Sequence, residues 1–382
     1  MTDLITTPID APLVRGAIEL EHTTNGVLPH RLPARARHQF DDGFLTMVEA
    51  QPTGVRLTFR TDATTIELEA LATRIAYTNG LGLPRGVYEL LVDGKLFGAA
   101  TIPGGLRHLI DTATGSTTTE SGPSGTARFS GLPEGSKTIE IWLPHTETAE
   151  LIALRTDAPI EPAPTRDRTW VHYGSSISHG SNADRPTATW AATAALAAGV
   201  DLINLGLRGN ALLDQFVART IRDIPADLIS IAIGINLVNA DAMRIRTFTS
   251  AVHGFLDTIR DGHPDTPLIV VSPILCPIHE NAPGPITPDM VDGTVRFRAT
   301  GDGSDPTRLT LTRIRGELSR IVAQRSADDP NLHLLNGLDL YGEADFAELP
   351  LPDGLHPDAA AHLRMGERFA ARVFGDKEPR LL

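Results

Sequence analysis

Cysteine is almost absent from this 382-residue chain. Cys276 is the only one, so no internal disulfide can staple it, and a reducing compartment suits it. Lysine is nearly as scarce, with Lys95, Lys137 and Lys377 the whole set. No run of basic residues occurs, and 34 basic against 47 acidic side chains leave a net charge of −13. A surface of that sign repels phosphate backbones and anionic headgroups, which argues against nucleic-acid and membrane partners. Long apolar runs are missing too: nothing approaches the roughly 18 residues of a membrane span. The N-terminal MTDLITTPIDAPLV has neither the basic nor the apolar region of an export signal. The expectation is a soluble, cytoplasmic protein. Aromatics are only 5%, whereas 34 Gly and 28 Pro are spread along the chain, which suits many short strands and turns. A 41% hydrophobic share excludes disorder, and the length favours two domains.

The two halves differ in periodicity. Up to about Asp157, segments such as Val55 to Phe59, Thr65 to Leu68 and Thr138 to Leu143 alternate apolar and polar residues, and Val87 to Val92 ends in Asp93-Gly94, a tight-hairpin dipeptide. This half, residues 1–160, is expected to be an all-β sandwich or jelly roll with no catalytic cluster. The Pro-rich stretch Ala158 to Pro164 is expected to be a stiff extended connector. Beyond it, residues 168–382, strands alternate with helices: strands at Thr169–Tyr173, Leu202–Leu205, Leu228–Ile233, Leu268–Val271 and Leu332–Leu335, and helices at Thr187–Ala198, Leu212–Ile221, Phe248–Ile259, around Leu311–Val322 and at Ala359–Val373. That alternation predicts a parallel sheet covered on both faces, whose ligand site lies at the carboxyl ends of the strands.

Four strand-end segments carry chemistry. Gly174-Ser175-Ser176-Ile177-Ser178-His179-Gly180 presents a hydroxyl, with Ser176 the candidate nucleophile. Asn204-Leu205-Gly206-Leu207-Arg208-Gly209-Asn210 lets backbone N–H groups approach a ligand closely. Gly234-Ile235-Asn236 offers a side-chain amide. Pro352-Asp353-Gly354-Leu355-His356-Pro357 sets a carboxylate three residues before an imidazole, so that the Asp can hold one ring nitrogen while the other faces the hydroxyl. Singly, each has a plain structural explanation, a turn or a helix cap. Together they supply a nucleophile, oxyanion donors and an acid-oriented base.

These four segments resemble the blocks of the SGNH hydrolases, also called the GDSL family, over roughly residues 169 to 375. The resemblance implies a flavodoxin-like three-layer α/β/α catalytic domain, with Ser176 as nucleophile, Asp353 and His356 completing the triad, and Ser176, Gly209 and Asn236 forming the oxyanion hole. Two positions depart from the family pattern: Ser175 replaces the Asp before the nucleophile, and Leu237 replaces the acid after the block-three Asn. They bear on substrate range, since no triad or oxyanion group is lost. An N-terminal β domain ahead of this catalytic domain, with the segments Val271 to His279 and Gly337 to Tyr341, is similar to a bacterial subgroup that includes a salicylyl acyltransferase of tetracycline biosynthesis.

The implied activity is acyl transfer through an acyl-enzyme on Ser176, as an esterase or deacylase acting on a small acylated molecule. The alternative is an acyltransferase that moves an aromatic or other acyl group from a thioester such as acyl-CoA to a hydroxyl of a natural product. Neither requires a metal or organic cofactor; acyl-CoA would be a donor substrate. His172 and His179 flank the nucleophile and are expected to be structural or pocket-lining, because no acid partner is evident for either. A zinc site from His172, His179 and Asp353 lacks a supporting spacing. Cys276 is expected to be a buried small hydrophobe. The stretch Pro277 to Asp305 is long for a connection, which fits a lid, a substrate wall or a surface excursion. The β domain could contribute to the pocket, bind carbohydrate or simply pack; the fold alone does not choose.

Overall fold

Strict alternation runs along Thr65–Tyr77, where every second side chain from Ile66 to Ala76 is buried. In a computed structural model that describes residues 4–40, 42–78, 84–111, 114, 116–291 and 294–375, this strand lies near the middle of an eight-stranded sheet. The main path runs Thr117–Glu120, Leu106–Ile110, Thr65–Tyr77, Thr148–Thr156, Val27–His30 and Glu19–His22, with Ile5–Thr7 and Gly125–Ser130 attached to it. A six-stranded sheet runs Ile160–Pro162, Arg56–Thr61, Lys137–Trp142, Val87–Val92 and Lys95–Thr101, with Val14–Arg15 attached. Leu57, Phe59, Ile139 and Ile141 of the second sheet share one core with Ile66, Leu68, Leu151 and Leu154 of the first, the arrangement of a β-sandwich. The Val87–Val92 hairpin turns at Asp93-Gly94, both at positive φ, as expected.

The expected β-sandwich is there, and two details differ from the reading of its sequence. It is not purely β: helices Ala34–Arg37 and Gly43–Glu49 interrupt it, the second capped by the Asp42 carboxylate and burying Leu45 and Val48. Seven residues are too few to display a helical stripe in the sequence. The Pro-rich connector is also not wholly outside the core elements, because Ile160–Pro162 pairs antiparallel with Arg56–Thr61 at the sheet edge. An edge position tolerates Pro162, which has no N–H to donate.

The described residues form two compact units. The first comprises those within Met1–Arg37 and Asp41–Arg166 together with Arg185–Thr187; the second comprises His38–Phe40, Asp167–Asp184 and those within Ala188–Leu382.

The second unit is built on five parallel strands: β1 (Thr169–Gly174), β2 (Asp201–Gly206), β3 (Leu228–Ala232), β4 (Leu268–Val271) and β5 (Leu332–Leu335), in the order β2-β1-β3-β4-β5. This is the flavodoxin-like order, with strand reversal beside β1. The central strands are apolar nearly throughout because both faces are covered. On one face Trp170 meets Phe369 and Trp190, and His172 also meets Trp190, joining the helices Trp190–Ala198 and Ala359–Val373. On the other, Tyr173 packs on Phe255 of the helix Ile245–Arg260. Period-two alternation along one strand thus generates the three layers. The helix expected from Thr187 begins at Trp190, where Thr189 caps it by accepting the Ala192 N–H. Among the described residues, no helix is long and apolar enough to cross a membrane.

Candidate active site

β1 ends at Gly174 and turns at once into a short helix, Ser176–His179, with Ser175 as its N-cap. The helix is held from below and from the side. Asn204 of β2 donates from Nδ2 to Ser178 O (2.9 Å) and accepts the Gly206 N–H at Oδ1 (2.7 Å). His179 Nδ1 lies 3.0 Å from Gly206 O. Only glycine fits at 206, because a Cβ there would stand 2.4 Å from the His179 backbone nitrogen. Beneath, His172 bridges Ser230 Oγ and Ser178 Oγ at 2.7 Å each, and Trp170 Nε1 donates to the same Ser230 hydroxyl. Burial drives the His172 pKa down to about 3, so the ring is neutral. His172 and His179 are therefore engaged within the scaffold and are not brought together with Asp353.

Ser176 Oγ lies 2.8 Å from His356 Nε2, and His356 Nδ1 lies 2.6 Å from Asp353 Oδ2. The other carboxylate oxygen accepts the N–H groups of Leu355 (2.9 Å) and His356 (2.7 Å), so one side chain both closes the turn and orients the ring. Burial pushes the Asp353 carboxyl up, but the imidazole and these two N–H groups outweigh it and hold it below its usual value.

Gly209 lies in the turn Arg208–Asn210, which packs against the Ser176–His179 helix. Asn236 opens the first turn of the helix Ile235–Asn239 and is buried. Its Oδ1 accepts the Ala211 N–H at 3.1 Å, joining the Gly209 segment to the Asn236 segment and leaving the amide NH2 as the free donor end. Ser175 and Ile177, on either side of Ser176, and Ile235, next to Asn236, border a small apolar cavity of about 40 Å³ that reaches Trp190 and Met365. The Ser176 hydroxyl is not part of its lining. Cys276 also borders this cavity. Burial, aided by the nearby Glu280 carboxylate, pushes its thiol up to about 12, which removes it as a nucleophile.

One neighbour of the site was not foreseen from the sequence. The middle of Pro277 to Asp305 is not an irregular loop: Ile286–Val291 and Thr294–Ala299 form an antiparallel hairpin, with residues 292 and 293 outside the described set. The Phe297 N–H donates to Asp353 O at 2.8 Å, and the Phe297 ring meets His356 edge-to-face, with centroids 5.9 Å apart. The alternation Thr-Val-Arg-Phe-Arg-Ala is an available strand signal, masked by the Gly and Pro around it.

Residues 167–277 match the model of the GDSL-like Lipase/Acylhydrolase family, and residues 13–152 match that of the SsfX3 N-terminal domain. Across 96% of this chain and 95% of the other, the structure is similar to that of the salicylyl-acyltransferase SsfX3 from a tetracycline biosynthetic pathway, at 27% identity and a TM-score of 0.79. In its second half the chain is thus similar to the GDSL-like lipases and acylhydrolases. The protein is an enzyme of the esterase or acyltransferase type, and the resemblance to the GDSL family drawn from its sequence holds. Two further structures share its fold. A putative GDSL-like lipase from Bacteroides ovatus matches 96% of each chain at 22% identity and TM-score 0.67. A family two carbohydrate esterase from Clostridium thermocellum covers 84% of this chain and 91% of its own, at 14% identity and TM-score 0.57. No curated protein matches the chain in sequence.

Proposed function

We propose that this enzyme forms an acyl-enzyme on Ser176 and acts on a small acylated molecule as an esterase or deacylase. The observation that carries this is the continuous chain from Ser176 Oγ through His356 to Asp353, at 2.8 and 2.6 Å. His356 Nε2 takes the hydroxyl proton as Oγ attacks the carbonyl carbon, and Asp353 stabilises the imidazolium. The backbone N–H groups of Ser176 and Gly209 and the Asn236 amide receive the oxyanion, each such donor being worth about 10²- to 10³-fold in rate. Collapse expels the leaving group, which takes the proton from His356. A second nucleophile, activated by the same imidazole, then releases the acyl group. The chemistry is complete with these side chains and calls for no cofactor.

A second reading, transfer of the acyl group from a thioester such as acyl-CoA to a hydroxyl, is favoured by the full-length similarity to SsfX3. The two share every step up to the acyl-enzyme.

The test is direct. Wild-type protein mixed with p-nitrophenyl acetate should release a burst of p-nitrophenol and gain one acetyl group by intact mass, and Ser176→Ala should lose both, with turnover falling by about 10⁴-fold or more. Comparable turnover by a folded Ser176→Ala variant overturns the assignment.

A further inference from the structure

The hairpin beside His356 has two chemically different faces. Residues directly opposite in an antiparallel pair share a face, and the register pairs Ile286 with Ala299, Pro288 with Phe297 and Met290 with Val295. All six of these side chains are apolar. The opposite face carries Thr287 with Arg298, Asp289 with Arg296, and Val291 with Thr294, and Arg298 pairs there with Asp289. A two-stranded ribbon with such a face ordinarily lays it on a core. Here none of the six is buried, and Met290 is 57% exposed. The face meets the catalytic base at its middle pair, because Phe297, opposite Pro288, touches the His356 ring and its backbone holds the Asp353 turn. From Val295 to Ala299 it spans about 14 Å at the rise of an antiparallel strand, room for two or three fused rings.

We propose that this face is the acyl-acceptor platform. Resting on the acyl-enzyme assigned above, it takes an alcohol whose hydroxyl adjoins a flat apolar body, and it lays that body along the ribbon so that the hydroxyl meets His356 Nε2 in place of water. The face offers no hydrogen-bonding side chain, so a sugar, whose hydroxyls would lose water without replacement, is a poor occupant. In the step itself the acceptor oxygen attacks the acyl carbon of the Ser176 ester while its proton passes to His356 Nε2. The Ser176 Oγ–carbon bond then breaks, and the proton returns to Oγ, leaving the new ester and free enzyme.

The experiment uses p-nitrophenyl acetate as donor and compares 2-naphthalenemethanol, glycerol and methyl glucoside as acceptors at equal concentration. It reads the ratio of new ester to free acetate, which depends only on the fate of the acyl-enzyme and not on how fast that species forms. Naphthylmethyl acetate should exceed the glycerol and glucoside esters by about tenfold, the worth of one aromatic contact with an apolar surface. Met290→Ser and Val295→Ser, two non-buried positions where folding is not at stake, should each cut that preference several-fold, and Phe297→Ala should abolish it. Equal partition among the three alcohols, or an undiminished preference in all three variants, overturns the platform while a wild-type burst leaves the acyl-enzyme standing. Absence of the burst in wild type overturns the acyl-enzyme and the platform with it.

Discussion

At the scale of single residues, Asp353 has three tasks and Asn236 two, and their amide and acid counterparts separate these tasks. In Asp353→Asn the side-chain oxygen can still accept the Leu355 and His356 N–H groups, so the turn survives. The NH2 end then faces His356 Nδ1 and forces that nitrogen to accept, which puts the proton on Nε2, where the serine needs a base. The expected loss in kcat is about 10⁴-fold, with a melting temperature within a few degrees of wild type; a loss below tenfold would mean that the carboxylate does not set the tautomer. Asn236→Asp keeps an oxygen for the Ala211 N–H but aims a second oxygen where the amide pointed. Replacing a donor by an anion beside a forming oxyanion should cost more than the about 10²- to 10³-fold of Asn236→Ala, measured as the burst rate.

At the scale of elements, the strand ends hold the nucleophile helix by contact rather than by length. Gly206→Ala forces its Cβ toward the His179 backbone, so either β2 or the helix must shift. The expected result is a destabilisation of about 1–3 kcal/mol by urea titration, together with a fall in kcat, because the helix that moves carries Ser176. Ser178→Ala leaves the His172 Nε2 side unpaired in the interior, at a cost of about 1–3 kcal/mol. This framework is legible in the sequence where local pattern suffices. Buried parallel strands are continuous apolar runs, and the Gly-rich and Asn-bearing segments follow them within a few residues, so Ser176 and Asn236 stand out from the order of residues, and Asp353 with His356 from their Asp-x-x-His spacing, while Gly209 is singled out only by the family resemblance. What is not legible depends on pairing across long separations. Phe297 reaches His356 only because the hairpin docks on the Asp353–Gly354 backbone, and Ile160–Pro162 is a strand only because Arg56–Thr61 offers it an edge. The structural role expected of His172 is correct, but its bridge between Ser230 and Ser178 needs the register of β1 on β3.

At the scale of the whole molecule, two buried neutral histidines couple stability to pH. His172 has its pKa lowered by burial to about 3, and His362, whose Nδ1 accepts the Trp190 N–H and whose Nε2 lies 2.9 Å from Ser181 O, has its own lowered to about 4. Both are near 6.5 when unfolded. Below that value the unfolded chain binds protons that the folded chain refuses, so stability must fall as pH drops from 6.5 toward 4, by up to about 1.4 kcal/mol per pH unit for each histidine. The lowered Asp353 acts further down: its contribution is complete above 3.8 and disappears as the pH falls through its lower folded value. Urea midpoints at pH 7, 6 and 5 check the histidine part. His362→Gln, which removes one titrating group, should reduce the slope by about one proton, and an unchanged slope would place the acid sensitivity elsewhere.

The turn at Asp353 has a mechanical consequence. Since one carboxylate both closes the loop and grips the ring, the Asp353 carboxylate and the His356 imidazole, the acid and base of the proposed relay, are tied into one block. The soft joint of the relay is then the one between Ser176 and His356, whose partners sit on separate stretches of chain. Any loosening of the hairpin that braces this block would leave the imidazole polarised yet intermittently out of reach of the hydroxyl. Such an enzyme would keep its chemical power and lose duty cycle, firing less often but no more weakly.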